Sequence, residues 1–291
     1  MKFKVEQFRV DGKLKHGLAN HPTAIEKFYE DDDEFHVLMT KRQSIMATRQ
    51  DLFYADGRYG LVVILQGMDA AGKDGAVKHV MSGLNPQGVS VTSFSVPSHE
   101  ELKHDFLWRS HLALAPRGKF TIFNRSYYEE VLTVRVHKEN LAAENLPGEI
   151  LNDKKIWAGR MKDICHHEEY LTRQGYKVMK FFLHISKEEQ RVRLVSRVDE
   201  PDKNWKLSLS DVSERGFWKK YQDAYEDAIS ETATKDAPWY IVPADDKKNA
   251  RLIISRIIAD QLESLELHHP ASNPAKKLEL KKIKKELSKK S

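Results

Sequence analysis

The residues with the most chemistry in this chain stand between positions 61 and 75, LVVILQGMDAAGKDG. A run of β-prone apolar residues opens into a loop bounded by Gly67 and Gly72, and Lys73 begins a helical pattern. A strand feeding a tight loop and then a helix leaves several backbone N–H groups unpaired and pointing into one concavity, which anionic oxygens fill. Gly67 and Gly72 permit backbone angles and a close approach that a Cβ blocks. The residues between and after them, Ala70, Ala71, Asp74 and Gly75, complete the cradle, and Lys73 brings a mobile charge to the outer phosphates. The pattern is G-x-x-x-x-G-K with one departure, Asp74, which stands where a Ser or Thr ordinarily helps to hold magnesium. Asp69 is the candidate to hold the metal instead, because Mg²⁺ is commonly bound by one or two carboxylates plus substrate phosphates. The bland alternative is a strand-to-helix turn without a ligand. The order of strand, loop and helix favours the cradle.

A second group follows a later apolar run: Asn124, Arg125, Ser126, Tyr127, Tyr128 and Glu129. An arginine there can clamp phosphate oxygens in a planar fork, the alternative being an arginine that caps backbone carbonyls. A third group, His184 to Arg197, is basic. On a helix Arg193 and Arg197 are four apart and share a face, so both are expected to reach one polyanion. Lid arginines of this kind neutralise charge on a transferred phosphoryl group, an effect of roughly 10³ to 10⁵ in rate. Arg191 is better explained by an ordinary Glu–Arg pair on an exposed face.

Positioning these groups requires strands that end at a common edge. Strand-length apolar runs occur at 61–65, 89–94, 120–123, 178–185 and 239–242, and helical periodicity fills the gaps at 73–84, 99–114, 151–174 and 245–267. Alternation of this kind predicts an α/β fold, a mostly parallel sheet with helices on both faces and ligands at the strands' carboxyl ends. The predicted organisation is an N-terminal helical extension over 1–57, packed on the core and with a helix from His36 to Tyr54, a phosphate-cradle domain over 58–267 with a lid at about 186–215, and a basic, flexible tail over 268–291.

Composition narrows the function classes. Of the formal charge of +5, residues 276–291 carry +6, leaving the other 275 residues at about −1. The basicity is therefore a tail effect, and no nucleic-acid partner is expected. The tail reads as a solvated end, or as a short amphipathic helix with Leu278, Leu280, Ile283 and Leu287. No stretch approaches the roughly 20 apolar residues of a membrane span, and the first 30 residues lack a signal-peptide core, so no membrane partner and a cytoplasmic location are expected. A single cysteine, Cys165, excludes an internal disulfide framework. The neighbouring His166 and His167 do not make it a structural metal site.

Taken together with Asp199 to Lys206 and Ala237 to Asp245, these groups resemble the polyphosphate kinase 2 family over roughly residues 35–267. The resemblance implies a three-layer α/β/α P-loop kinase fold, like that of thymidylate kinases, with a helical lid. It also implies transfer of phosphoryl groups between inorganic polyphosphate and nucleotides with Mg²⁺, or Mn²⁺ in its place. Position by position, Asp69 looks like the family's metal-binding loop carboxylate, Lys73 its phosphate-binding lysine, Arg125 its arginine after the third strand and Arg197 its lid arginine. Many members have Asp at the position of Asn124 and Asn at that of Glu129. The Asn-Arg-Ser-x-Tyr-Glu pattern here is similar to the class III subgroup, which phosphorylates both AMP and ADP. Glu129 then biases the acceptor site and joins Asp69 as a metal ligand. Lys78, Arg109, Arg135 and Arg193 complete the expected substrate-binding set. The implied substrates are polyphosphate and adenine nucleotides, with guanine nucleotides alongside, and the implied assembly is a homo-oligomer, dimer or tetramer.

Two rivals share some of these features. An ATP-dependent nucleoside monophosphate kinase has the same loop, lid and sheet, and a non-enzymatic polyanion-binding protein acts through its lysine tail alone. The number of separate motifs that must coincide argues against both.

Overall fold

The computed structural model describes residues 3–201, 204, 208–271 and 273–288. Its six strands are β1 (Arg9–Val10), β2 (Gly60–Gly67), β3 (Val89–Ser93), β4 (Phe120–Asn124), β5 (Tyr176–His184) and β6 (Trp239–Pro243). They form one sheet in the order β1-β6-β5-β2-β4-β3, parallel throughout except for β1 against β6. The five apolar runs are all strands. β1 is an addition that two residues cannot announce by periodicity.

All eight residues of β2 are buried, as a parallel strand covered on both faces requires. The covering helices fall into two groups. In the first, α1 (Asp32–Asp56) packs on α11 (Lys247–Glu263), which packs on α2 (Lys73–Val80). In the second, α7 (Ile156–Arg173) packs on β5 and on α10 (Trp218–Thr232). The result is a three-layer α/β/α fold. Its core contains a fully buried ion pair: Lys180 Nζ on β5 lies 2.5 Å from Glu168 Oε2 on α7, and the hydroxyl groups of Tyr127 and Tyr128 each donate to Glu168 Oε1 at 2.9 Å.

β2 lies at the centre of the sheet, with β4 and β3 added on one side and β5 and β6 on the other. The chain thus reverses direction of growth around β2, and the carboxyl end of that strand is the crevice where open α/β sheets bind ligands.

The segment 99–114 does not form the single helix that its periodicity predicts. Only α3 (Trp108–Leu112) is α-helical, preceded by a 3₁₀ turn at Glu101–Lys103. Side chains win over the helix here. Ser98 and Glu101 exchange capping bonds, Asp105 accepts from the N–H of Leu107 at 3.0 Å, and the rings of His104 and Trp108 stack at 3.9 Å. Among the described residues of the N-terminal extension the one α-helix is α1. Upstream, irregular chain is stitched to α11, with Phe28 N–H donating to Asn249 Oδ1 and Asn249 Nδ2 donating to Glu26 O.

The lid region comprises α8 (Lys187–Asp199) and α9 (Leu209–Glu214), and Arg215 ties the second back to the first by donating to Lys187 O and Gln190 Oε1. Asp202, Lys203, Trp205 and Lys206 of the motif at 199–206 lie outside the described residues. In the tail, α12 (Pro274–Leu287) is capped by Asn273 and has no buried side chain. Among the described residues no helix is long and apolar enough to cross a membrane.

Candidate active site

The loop after β2 takes the backbone shape that its residues predicted. Ala70 and Gly72 have φ of 61° and 108°, the left-handed turns that aim successive amides into one hollow. At Gly67 an added Cβ would come within 3.0 Å of the Leu183 carbonyl oxygen on the adjacent strand. That close approach is the physical reason for a glycine there. Lys73 folds back over the loop, its Nζ donating to the carbonyls of Gly67 at 2.6 Å and Met68 at 3.1 Å. Burial lowers its pKa, and the nearby Arg125 charge lowers it further.

Arg125 leaves the end of β4 with φ of 63° and donates its own N–H to Leu65 O, which turns the side chain toward the loop. Its guanidinium lies 3.3 Å from Asp69 Oδ1. Burial acts against its charge, but Glu129 and Asp69 outweigh that effect and hold its pKa above the ordinary value. Glu129 in turn accepts from Thr133 Oγ1 at 2.6 Å. With the Gln66 amide turned to suit its neighbours, its nitrogen also donates to Glu129 Oε1 at 3.0 Å. Asn124 Nδ2, at the tip of β4, donates to Asp74 Oδ1 on α2 at 2.8 Å.

Lys73, Asp69, Arg125 and Glu129 open onto a cavity of about 500 Å³. Gly67, Asp69 and Lys73 line it together with Arg125 and Glu129, and apolar side chains such as Val96 and Val134 complete the wall. Arg109 also lines it, donating to Ser95 O at 2.9 Å and lying over the Phe94 ring. A cavity that combines charged groups beside the glycine loop with apolar walls suits a nucleotide whose phosphates point at the loop.

Arg193 is a correction. The shared-face expectation placed it with Arg197 on a polyanion, but its guanidinium is buried and turned to the loop's backbone. Nη1 donates to Ala70 O and Ala71 O at 3.0 and 2.9 Å, Nη2 to Ala244 O and Asp245 O at 2.5 and 3.0 Å, and Nε to Glu189 at 2.8 Å. All five donors of the fork are thereby used. Beside it Gln190 Nε2 donates to Asp69 O. Arg197, one turn on, is half-buried and does not line the cavity. Nor do Lys78, exposed on α2, and Arg135, which pairs with Asp227 at 2.6 Å. Gly75 faces Arg251 across a gap that a Cβ would narrow to 3.2 Å.

Several cavity residues escape sequence reasoning. His137 bridges Glu139 and Glu214, Tyr221 donates to Glu214, and Tyr225 lines the wall near Glu129. They come from segments some eighty residues apart, and no local pattern links them. Glu130 is different, for it adjoins Glu129 in the quoted motif. Burial and the neighbouring Glu144 push its carboxyl up to about 7, against the pull of Arg160 and Arg109.

The sequence and the fold both match known proteins. The sequence model of the polyphosphate kinase 2 family matches residues 29–270. An ADP-polyphosphate phosphotransferase of Rhodopseudomonas palustris is 48% identical over 99% of this chain and 100% of its own length. An AMP/ADP-polyphosphate phosphotransferase of Meiothermus ruber is 44% identical, covering 78% of this chain and 80% of its own. The crystal structure of polyphosphate kinase 2 from Arthrobacter aurescens TC1 superposes with a TM-score of 0.84 at 35% identity, covering 96% of each chain. With the match spanning loop, sheet and lid alike, the chain belongs to the polyphosphate kinase 2 family.

Proposed function

We propose that the protein transfers the terminal phosphoryl group of inorganic polyphosphate to AMP and ADP, giving ADP and ATP, in the cytoplasm. The observation that carries this is one cavity lined by Lys73, Asp69, Arg125 and Glu129 together with apolar side chains such as Val96 and Val134. It offers room for a nucleotide whose phosphates meet the polyphosphate end at the loop. A terminal phosphate oxygen of the nucleotide attacks the terminal phosphorus of the chain, one P–O–P bond breaks, and polyphosphate leaves one unit shorter. That oxygen is already ionised near neutral pH, so no general base is needed. The protein's work is to position and to neutralise. Lys73 leaves its two loop carbonyls to meet phosphate oxygens, Arg125 steadies the oxygens between donor and acceptor, and Arg197 closes on the polyphosphate from the lid.

Asp69 and Glu129 suit Mg²⁺ or Mn²⁺. They are hard oxygen donors beside Lys73 and Arg125, and no three metal-binding side chains converge among the described residues, so phosphate and water oxygens complete the shell. The ion, when bound, supplies charge neutralisation across the phosphates. Guanine nucleotides are accepted alongside adenine ones, and the chain works as a homo-oligomer.

The test is ATP formation, read by luciferase, from long-chain polyphosphate and Mg²⁺ with ADP or AMP, alongside Lys73→Ala. ATP from both acceptors, lost in the variant, is the expected result. ATP from ADP alone would remove the role given to Glu129. AMP phosphorylation that requires ATP and ignores polyphosphate would establish the rival kinase.

A further inference from the structure

We propose that α12 is a second polyphosphate-binding element, whose lysine face holds a distant stretch of a long chain while the chain's terminal phosphate sits at the glycine loop. This role rests on the phosphotransfer reading above and concerns how the donor is captured.

α12 is a formed helix rather than a loose run of lysines. Asn273 Oδ1 accepts from the N–H of Lys276 at 2.8 Å, and Pro274 opens the first turn. Every residue of the helix is nevertheless exposed. In α-helical geometry Lys277, Lys281, Lys284 and Lys285 fall within about 100° of arc, and Glu279 and Glu286 lie on the opposite side. Glu279 is engaged there with Lys276 at 3.0 Å. Lysines four apart on one face repel each other and weaken the helix that carries them. A solvated tail gains nothing from that segregation. A polyanion laid along the face turns the repulsion into attraction.

Charge balance and the pattern around the helix select the polyanion. Residues 276–291 carry +6 and the other 275 residues about −1, so long-range attraction for polyphosphate comes from the tail. An anionic membrane fits less well. The exposed stripe of Leu280, Ile283 and Leu287 has the lysine face on one flank and the two glutamates on the other, whereas an interfacial helix carries a basic polar face opposite its apolar one.

The tail leaves the body at the end of the sheet remote from the loop. His268 N–H donates to Asp56 Oδ2 at 2.8 Å, where α1 ends and just before β2 begins at Gly60. The glycine loop follows the other end of that strand, roughly 25 Å away. Both elements hold one donor molecule only when its chain is long enough to run from one end of the sheet to the other. Two attachments to one molecule raise affinity above either alone, and a chain that has lost its terminal phosphate stays tethered for the next transfer.

The test measures binding of long-chain polyphosphate and of tripolyphosphate, which is too short to reach both elements, to the full-length protein by titration calorimetry, followed by KM for the long chain with ADP. In Lys277→Gln/Lys281→Gln/Lys284→Gln/Lys285→Gln the long-chain Kd and KM should rise about 10-fold or more, while kcat, KM for ADP and the tripolyphosphate Kd stay at the parent's values. Deleting residues 274–291 should give the same rise, and arginine at the four positions should restore the parent's affinity. An unchanged long-chain Kd overturns the role, whether the variant instead loses binding to phosphatidylserine vesicles or separates from a second copy on a sizing column. Equal weakening for both chain lengths overturns it too, since the loss would then lie at the loop. Failure of the phosphotransfer reading shows separately, as no ATP from polyphosphate and ADP with the parent protein while the variant still loses long-chain binding.

Discussion

Lys180 Nζ on β5 and Glu168 Oε2 on α7 meet at 2.5 Å with both side chains almost wholly excluded from water. Each is the other's full counter-charge in that pocket, and the surrounding bonds come from Tyr127, Tyr128 and the Thr232 carbonyl. Removing one charge strands the other. Glu168→Gln should cost about 3–5 kcal/mol, read as a lower urea midpoint. Unchanged stability would mean that Lys180 is neutral in the folded protein.

Arg193 and Arg197 should separate cleanly in mutagenesis. Arg193→Lys leaves three donors for five acceptors and unpins the loop carbonyls of Ala70 and Ala71, so stability should fall by about 2–4 kcal/mol along with activity. Arg197→Ala should leave stability within about 0.5 kcal/mol and reduce ATP formation by about 10³-fold. Equal loss of stability in both would contradict the division between anchor and phosphate contact.

Glu130 makes stability depend on pH. Its carboxyl titrates at about 7 in the folded protein against 4.5 without the fold's influence. Between those values the folded state holds more protons than the unfolded one. The contribution is therefore complete below about pH 4.5 and fades as pH rises through 7, an effect on the order of 2–3 kcal/mol. Melting curves from pH 5 to 8 should show the parent losing stability relative to Glu130→Gln, which stays neutral. Parallel curves would refute the assignment.

The tail helix α12 buries no side chain. Deleting residues 274–291 should therefore change stability by less than about 1 kcal/mol and leave polyphosphate-dependent ATP formation in place. Loss of all activity in a well-folded deletion would restore the polyanion-binding rival.

What the sequence made legible follows from the kind of signal involved. β2, β4, β5 and β6 are continuous apolar runs because parallel strands bury both faces, and the loop is readable because glycine and lysine carry their reasons locally. Arg193 lies on the helix that its spacing predicts, α8, but its partners are not the expected ones. Spacing along a helix says which residues share a side, and it does not say that the opposing surface is backbone carbonyl rather than solvent. Trp108 and Arg109 were assigned to one long helix because the competing bonds of Ser98, Glu101 and Asp105 are visible only once the side chains meet. The cavity wall from His137 to Tyr225 is assembled by topology, which no window of sequence contains.

The fork of Arg193 has a mechanical consequence. The first two turns of α8 are bolted to the glycine loop by Gln190 and Arg193, and Arg215 fastens the returning chain to the same turns. A closing stroke cannot begin there without breaking the cradle that it is meant to cover. Any movement of α8 that spares the loop would have to begin beyond Arg193, and Arg197 is the first charged residue past that point.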